Sequence, residues 1–100
     1  MSEAAVSMAE PGVLSLSGVL DYRSGPQLRK QGKALITASR EAQLVLDCTG
    51  VLRSTSVGLS LLLSFMRDAQ ATGKACRVRG MPDDMREIAE VYDLDQVLAT

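Results

Sequence analysis

Residues 4–8 alternate weakly, with Val6 and Met8 on one face, and the chain then reads Glu10-Pro11-Gly12. Proline presets φ at the first central position of a turn and glycine supplies a positive φ at the second, so a type II turn is expected there. Beyond it, Val13–Leu20 puts Leu14, Leu16 and Leu20 on one side, with Gly18 interrupting the run. The two segments predict a β-hairpin.

Ser24-Gly25-Pro26 marks a helix start, with Ser24 as N-cap and proline in the first turn, where no N–H is missed. Leu28, Gly32, Leu35 and Ile36 form a narrow apolar stripe, Arg29, Lys30 and Lys33 face outward, and the helix is expected to end near Ala38. Residues 43–48 are nearly all apolar apart from Asp47, which suits a central strand covered on both faces. After the segment 49–55, Leu59, Leu62, Leu63 and Met66 recur at helical spacing and predict a long helix over 56–71, closed by Thr72-Gly73. Ala75–Arg79 reads as a short strand with Cys76 and Val78 inward. Met85, Ile88, Ala89 and Tyr92 predict a last helix, and Leu94, Val97 and Leu98 a closing turn.

The order β-β-α-β-α-β-α holds one hairpin followed by strands alternating with helices. Right-handed crossovers make the later strands parallel. The expected fold is therefore α/β: one domain over residues 1–100, with 1–3 a loose N-terminus. Its small mixed sheet, an N-terminal hairpin plus parallel strands, packs with three to four helices.

Composition narrows the chemistry. With 100 residues, 46% of them apolar and only 3% aromatic, the core must be aliphatic. Eleven basic and twelve acidic residues give a net charge of −1, which favours neither nucleic acid nor direct binding to a membrane surface. The chain has no histidine, which removes the commonest general base, the usual metal ligand and any Ser-His-Asp arrangement. Cys48 and Cys76 lack CxxC spacing and lie in apolar stretches, so both are expected as reduced core residues. No basic n-region opens the sequence, and the apolar-rich run 57–66 falls far short of the ~20 residues that span a bilayer. A soluble, cytosolic protein without metal or cofactor is expected.

Few residues suggest a site. One of Ser54, Thr55 and Ser56 is needed to cap the long helix. The surplus hydroxyls are expected to point outward at a helix N-terminus, where free N–H groups favour an anion or a partner's carboxylate. Arg53 reads either as a solvated arginine or as a polar contact to a partner. Val57 and Leu61 lie off the predicted core stripe, beside Ser64 and Asp68, with Leu61 expected half-buried and Val57 largely exposed. Asp47 reads as a turn-capping carboxylate with no cation near it in sequence. Asp83, Asp84, Glu87, Glu90 and Asp93 read as a solvated face. Arg67, Lys74, Arg77 and Arg79 gather around a helix end and a strand. No GxxxxGK[ST] pattern cradles a phosphate, and no paired acids support a small enzyme.

The segment Leu46-Asp47-Cys48-Thr49-Gly50-Val51-Leu52-Arg53-Ser54-Thr55-Ser56-Val57-Gly58-Leu59 resembles the signature of STAS domains, named for sulfate transporters and anti-sigma factor antagonists. In that family a strand ending in Asp-x-Ser/Thr leads to Asp-Ser/Thr-x-Gly-Leu at the start of a leucine-rich helix. The same positions here are Asp47-Cys48-Thr49 and Thr55-Ser56-Val57-Gly58-Leu59, with Thr55 where Asp is usual. Gly18-Val19-Leu20-Asp21 is similar to the family's Gly-x-Leu-Asp, and Glu90-Val91-Tyr92-Asp93-Leu94 to its closing helix.

The resemblance implies a non-catalytic module that binds another protein. Two subfamilies compete. Anti-sigma factor antagonists are switched by a kinase that phosphorylates a serine immediately before the helix glycine. The small STAS subunit of Mla-type phospholipid-transport ABC systems instead binds the ATPase subunit on the cytosolic side of the inner membrane and supports its assembly and activity. Ser56 matches the position where that subunit carries Thr or Ser, and the short chain with its Tyr92-Asp93-Leu94 ending looks like it too. The expected contact residues are Ser56, Thr55, Val57, Ser54, Arg53 and Leu61.

Val57 stands immediately before Gly58 and has no hydroxyl. Incubation with ATP and an anti-sigma kinase should therefore leave the intact mass unchanged. Stoichiometric phosphate at Ser56 or Thr55 would restore the antagonist reading.

Overall fold

In the computed structural model, which describes residues 4–94 and 97–98, strand β2 (Val13–Leu20) buries every second residue. Strand β1 (Ala5–Glu10) runs antiparallel to it, pairing Val6 with Leu16 and Met8 with Leu14. Gly12 in the connecting turn has φ +80°, the left-handed value the Pro-Gly pair was expected to supply. Helix α1 (Gly25–Ala38), strand β3 (Gln43–Ser54), helix α2 (Ser56–Ala71), strand β4 (Ala75–Arg79) and helix α3 (Asp83–Val91) follow. The sheet order is β1-β2-β3-β4, and β3 is parallel to both β2 and β4. A closing turn places Leu98 in the core and leaves Val97 exposed. The α/β fold with a mixed sheet is the one the sequence predicts.

One face of the sheet carries the core. Leu14, Leu16, Leu20, Leu44, Leu46, Cys48 and Val78 point into it and meet Leu28 and Ile36 of α1. Phe65, Leu62 and Leu59 of α2 and Met85 and Ala89 of α3 complete it. The alternate residues Val13, Ser15, Ser17, Val19, Val45 and Asp47 are only half-buried. β3 is therefore central but covered on one side, contrary to the two-sided burial its apolar run suggests. It is also longer than the predicted 43–48, because residues 49–54 stay in the sheet. Register shifts between Ser15 and Ser17 and between Gly18 and Val19 absorb the irregularity.

Helix α2 is rotated by roughly a quarter turn from the stripe its leucines suggest, taking about 100° per residue. Leu59 and Leu62 are buried as expected, but Leu63 and Met66 are half-buried while Leu61 and Phe65 are at 3% and 0% exposure. The reason lies in α1. Gly32 offers no side chain, and a Cβ there would collide with the Phe65 ring, so Phe65 sits directly on the α1 backbone. Arg29, expected outward, reaches across to Asp68 of α2 in a two-pronged ion pair, with Nη2 to Oδ1 at 3.0 Å and Nη1 on Oδ2. Both contacts belong to the pairing of two helices, which neither helix's own periodicity reveals.

Three smaller corrections follow. Ser24 holds the N-cap position of α1 but in helical geometry and without capping it. Its hydroxyl instead donates to the Val19 carbonyl oxygen at 3.0 Å and accepts from the Asp21 N–H at 3.1 Å, bracing the β2–α1 corner. Tyr92 is 60% exposed rather than inward, because α3 ends at Val91 and Tyr92 is already the C-cap. Cys48 is fully buried, but Cys76, on edge strand β4, is only half-buried. Burial pushes the Cys48 thiol up to about 12, helped by the nearby Asp47 carboxylate, and pushes Cys76 up to about 11.

Leu61→Ala and Leu62→Ala should each cost about 2–5 kcal/mol in urea denaturation, and Leu63→Ala clearly less. A Leu63→Ala cost equal to the other two would show that α2 packs with the phase its leucines suggest. With both thiol pKa values raised, little thiolate is present at pH 8 in the native protein. A maleimide or disulfide probe should therefore label both cysteines more slowly before denaturation than after, with Cys76 ahead of Cys48. Rapid native labelling of Cys48 would contradict its burial.

Candidate partner interface

The start of α2 is fixed by its neighbours. The Leu20 carbonyl oxygen at the end of β2 accepts two hydrogen bonds from Thr55, one from its N–H at 3.0 Å and one from Oγ1 at 3.3 Å. Thr55 Oγ1 also accepts from the Val57 N–H at 3.2 Å, so Thr55 is the N-cap. A single residue thereby caps the helix and ties it to the sheet.

Ser54 does not join the outward hydroxyls. It is 5% exposed, its N–H donates to Asp84 Oδ2 at 3.2 Å, and its hydroxyl donates to the Thr55 carbonyl oxygen at 2.8 Å. A Cβ at Gly58 would collide with Ser54 Oγ and lie 3.2 Å from Met85 Cε, so glycine is what lets α2 settle against β3 and α3. Asp84 accepts from the Met85 N–H as well, at 2.8 Å, and so joins the first turn of α3 to the end of β3. Ser54 is a joint in the frame.

Ser56 is the hydroxyl left facing solvent: it is exposed, and its side chain has no hydrogen-bond partner among the described residues. Arg53 is exposed at the end of β3, opposite Val19, and is likewise unpaired among the described residues. Val57 is half-buried rather than largely exposed, since its Cγ1 packs where a Cβ on Gly25 would stand, at 2.8 Å. Leu61 is core, and touches the surface only as part of the floor of a groove. Of the six expected contact residues, the structure keeps Arg53, Thr55, Ser56 and the edge of Val57 at the surface and withdraws Ser54 and Leu61.

Two shallow grooves flank this helix end. One, of about 340 Å³ between α1 and α2, is walled by Tyr22, Pro26, Arg29, Val57, Ser60 and Ser64. The other, of about 510 Å³ between α2 and α3, is lined by Thr55, Ser56, Glu87, Ile88, Val91 and Tyr92. Tyr22 at 73%, Leu52 at 68%, Val91 at 81% and Tyr92 at 60% are large apolar residues left in solvent. Exposed apolar residues beside a helix end with an unpaired hydroxyl fit a protein-docking surface. Sequence reasoning missed Tyr22, Ile88, Val91 and Tyr92. The available signal was an apolar pair, Val91-Tyr92, ending an otherwise acidic helix.

The remaining candidates are structural. Asp47 lies on β3 next to Arg79 of β4, with Oδ2 3.3 Å from Arg79 Nη2 and Oδ1 accepting from the Thr49 N–H at 3.1 Å. Partial burial works to raise its pKa, but the Thr49 and Arg79 contacts outweigh this and hold it below the ordinary value. An anchored carboxylate of that kind is a poor proton shuttle at neutral pH. Among the described residues no cluster of three His, Cys, Asp or Glu side chains is arranged to hold a metal ion, and no helix is long and apolar enough to cross a membrane.

Comparison with solved structures supports the fold. A chain of the Acinetobacter MlaFEDB complex in its ATP-bound Vtrans2 conformation superposes with a TM-score of 0.80 at 19% identity, covering 94% of this chain and 96% of that one. The anti-sigma factor antagonist SpoIIAA in its unphosphorylated form gives 0.73 at 17% identity, over 94% of this chain and 84% of that one. An anti-sigma factor antagonist from Mycobacterium paratuberculosis gives 0.72 at 24%, over 99% and 84%. The family described as "Mlab, STAS domain" matches residues 4–99. That match spans nearly the whole chain, and the chain belongs to the Mlab-type STAS domain family.

Proposed function

We propose that this protein is the non-catalytic STAS subunit of an Mla-type ABC phospholipid transporter, where it binds the cytosolic ATPase subunit and supports its assembly and ATP hydrolysis. The observation that carries this reading is the α2 N-terminus, where Ser56 stands exposed and unpaired between two apolar grooves. A docking subunit needs such a rigid, partly apolar end and no reacting groups of its own. Membership of the Mlab-type STAS family and the fold shared with a chain of the MlaFEDB complex support the choice of partner. Its place is then peripheral on the inner membrane, held on the cytosolic side through the transporter. The role in outer-membrane lipid asymmetry follows from the transporter.

The anti-sigma antagonist reading uses the same helix end, and the likeness to two such antagonists favours it at the level of fold. It requires a phosphoacceptor where Val57 stands, and Val57 is half-buried against Gly25. The transporter reading has no such requirement.

Ser56→Arg should abolish co-purification with the ATPase subunit and lower the transporter's ATP hydrolysis, because a bulky cation would have to be desolvated at the contact. Ser56→Ala should weaken binding by about 0.5–1.5 kcal/mol, the net worth of one hydroxyl hydrogen bond. Both should melt within about 0.5 kcal/mol of wild type, since Ser56 supports no internal hydrogen bond. A folded Ser56→Arg protein that binds and stimulates the ATPase normally would remove this helix end from the interface. Failure of the wild-type protein to bind any ABC ATPase subunit would remove the function.

A further inference from the structure

The groove between α2 and α3 is unlike its neighbour in charge. Its apolar side is Ile88, Val91 and Tyr92, with Val91 81% and Tyr92 60% exposed. Glu87 forms its rim, and Glu90 lies one turn from Glu87 on the outer side of α3. Neither glutamate has a cation within ion-pair distance among the described residues. Arg86, on the same helix, instead donates to the Met81 carbonyl oxygen at 3.2 Å and lies 4.0 Å from Asp83. On the opposite flank of Ser56, the groove between α1 and α2 contains Arg29, already paired with Asp68. Among the residues lining the two grooves the unpaired charge is thus Glu87, on the α3 side; Arg53, also exposed and unpaired among the described residues, belongs to neither lining.

From this charge pattern we infer that the α2–α3 groove is the seat of a basic amphipathic helix of the partner protein. The partner's apolar side chains lie on Ile88, Val91 and Tyr92, and its Lys or Arg residues face Glu87 and Glu90. This rests on the reading of the α2 end as a protein-docking site and adds the chemistry of what docks there. A shallow apolar groove between two helices suits an amphipathic helix laid along it, and an unpaired carboxylate on its rim selects cations on the incoming polar face. A second copy of this chain does not fit. Its own basic helix, α1, turns Leu28, Gly32 and Ile36 into the core and has no apolar face to offer. Anionic phospholipid does not fit either, since its headgroups would meet the same carboxylates.

The test uses the full chain with two labelled peptides of roughly 18 residues sharing one apolar stripe, one with a lysine polar face and one with a glutamate polar face. By fluorescence anisotropy at low salt, the lysine peptide should bind about tenfold tighter or better, and lose that margin as salt rises. Amide shifts in 15N spectra should map its contact to Glu87, Ile88, Val91 and Tyr92. The double variant Glu87→Lys, Glu90→Lys should reverse the preference, and Val91→Ser, Tyr92→Ser should weaken both peptides. All four positions are at or near the surface, so circular dichroism should be unchanged. Equal binding of the two peptides, or shifts confined to the Tyr22 groove, would overturn the inference. So would binding to phosphatidylglycerol vesicles lost in Val91→Ser, Tyr92→Ser, which would give the face to a membrane. ATPase-subunit binding that survives Glu87→Lys, Glu90→Lys unchanged overturns this inference and leaves the docking reading intact. A lysine peptide seated in the groove of a protein that binds no ATPase subunit does the reverse.

Discussion

The Leu20 carbonyl oxygen takes two hydrogen bonds from Thr55, and the arrangement of the start of α2 follows from that junction. It fixes where α2 leaves the sheet. Because Thr55 is at once N-cap and anchor, the next residue must project away from the strands, and that residue is Ser56. Ser54, one place earlier, is turned inward and held by Asp84. Gly58 has no side chain, and a Cβ there would collide with Ser54 and crowd Met85, so α2 can lie against both. Three neighbouring hydroxyls thus have three different duties.

Much of this was legible in the sequence, and most of what was not shares one cause. The alternation of Leu14, Leu16 and Leu20 fixes which face of β2 is buried, and the structure agrees. The Pro11-Gly12 turn and the bounds of α2 are likewise local properties, read correctly because one segment determines each. Most of the errors concern contacts between segments; Tyr92 is exposed for a local reason, since α3 ends one residue before it. Leu61 is core and Leu63 is not, because Gly32 of α1 draws Phe65 inward and rotates the helix with it. Asp68 and Arg29 lie 39 residues apart, so their ion pair has no signature in either helix. Asp47 and Arg79 are brought together only by the pairing of β3 with β4. The family motif marked the start of α2 at Thr55-Ser56, as the structure has it, but could not show which hydroxyl faces out. That depends on how tightly α3 closes over β3.

The sheet's open face bears on how the protein is used. Its positions are mainly Ser, Val and Ala, too small and too polar to act as a second core. The helices all serve the other face, so the molecule is a two-layer slab in which α1 and α2 pack closely where they cross. The Arg29–Asp68 pair sits at that crossing. With Asp68 9% exposed and Arg29 35%, it is held by geometry and partial burial, and removing one partner would leave the other without compensation. The start of α2 is held closely at its α1 flank and has a much lighter support at its α3 flank.

That asymmetry has a dynamic consequence. α3 is 9 residues long and fully buries only Met85 and Ala89; beyond these it is tied to β3 by the Ser54 N–H bond to Asp84. So short a helix with so few buried side chains has the smallest local opening free energy of the three, and its amides would exchange with solvent well before those of α1 and α2. A protein bound across α2 and α3 engages only the closed form, so each increment of its free concentration lengthens the time α3 spends shut. If it docks as proposed, the protein is most compactly folded inside its assembly and most open to proteolysis when made in excess of its partner. Stoichiometry would be enforced by the turnover of one short helix.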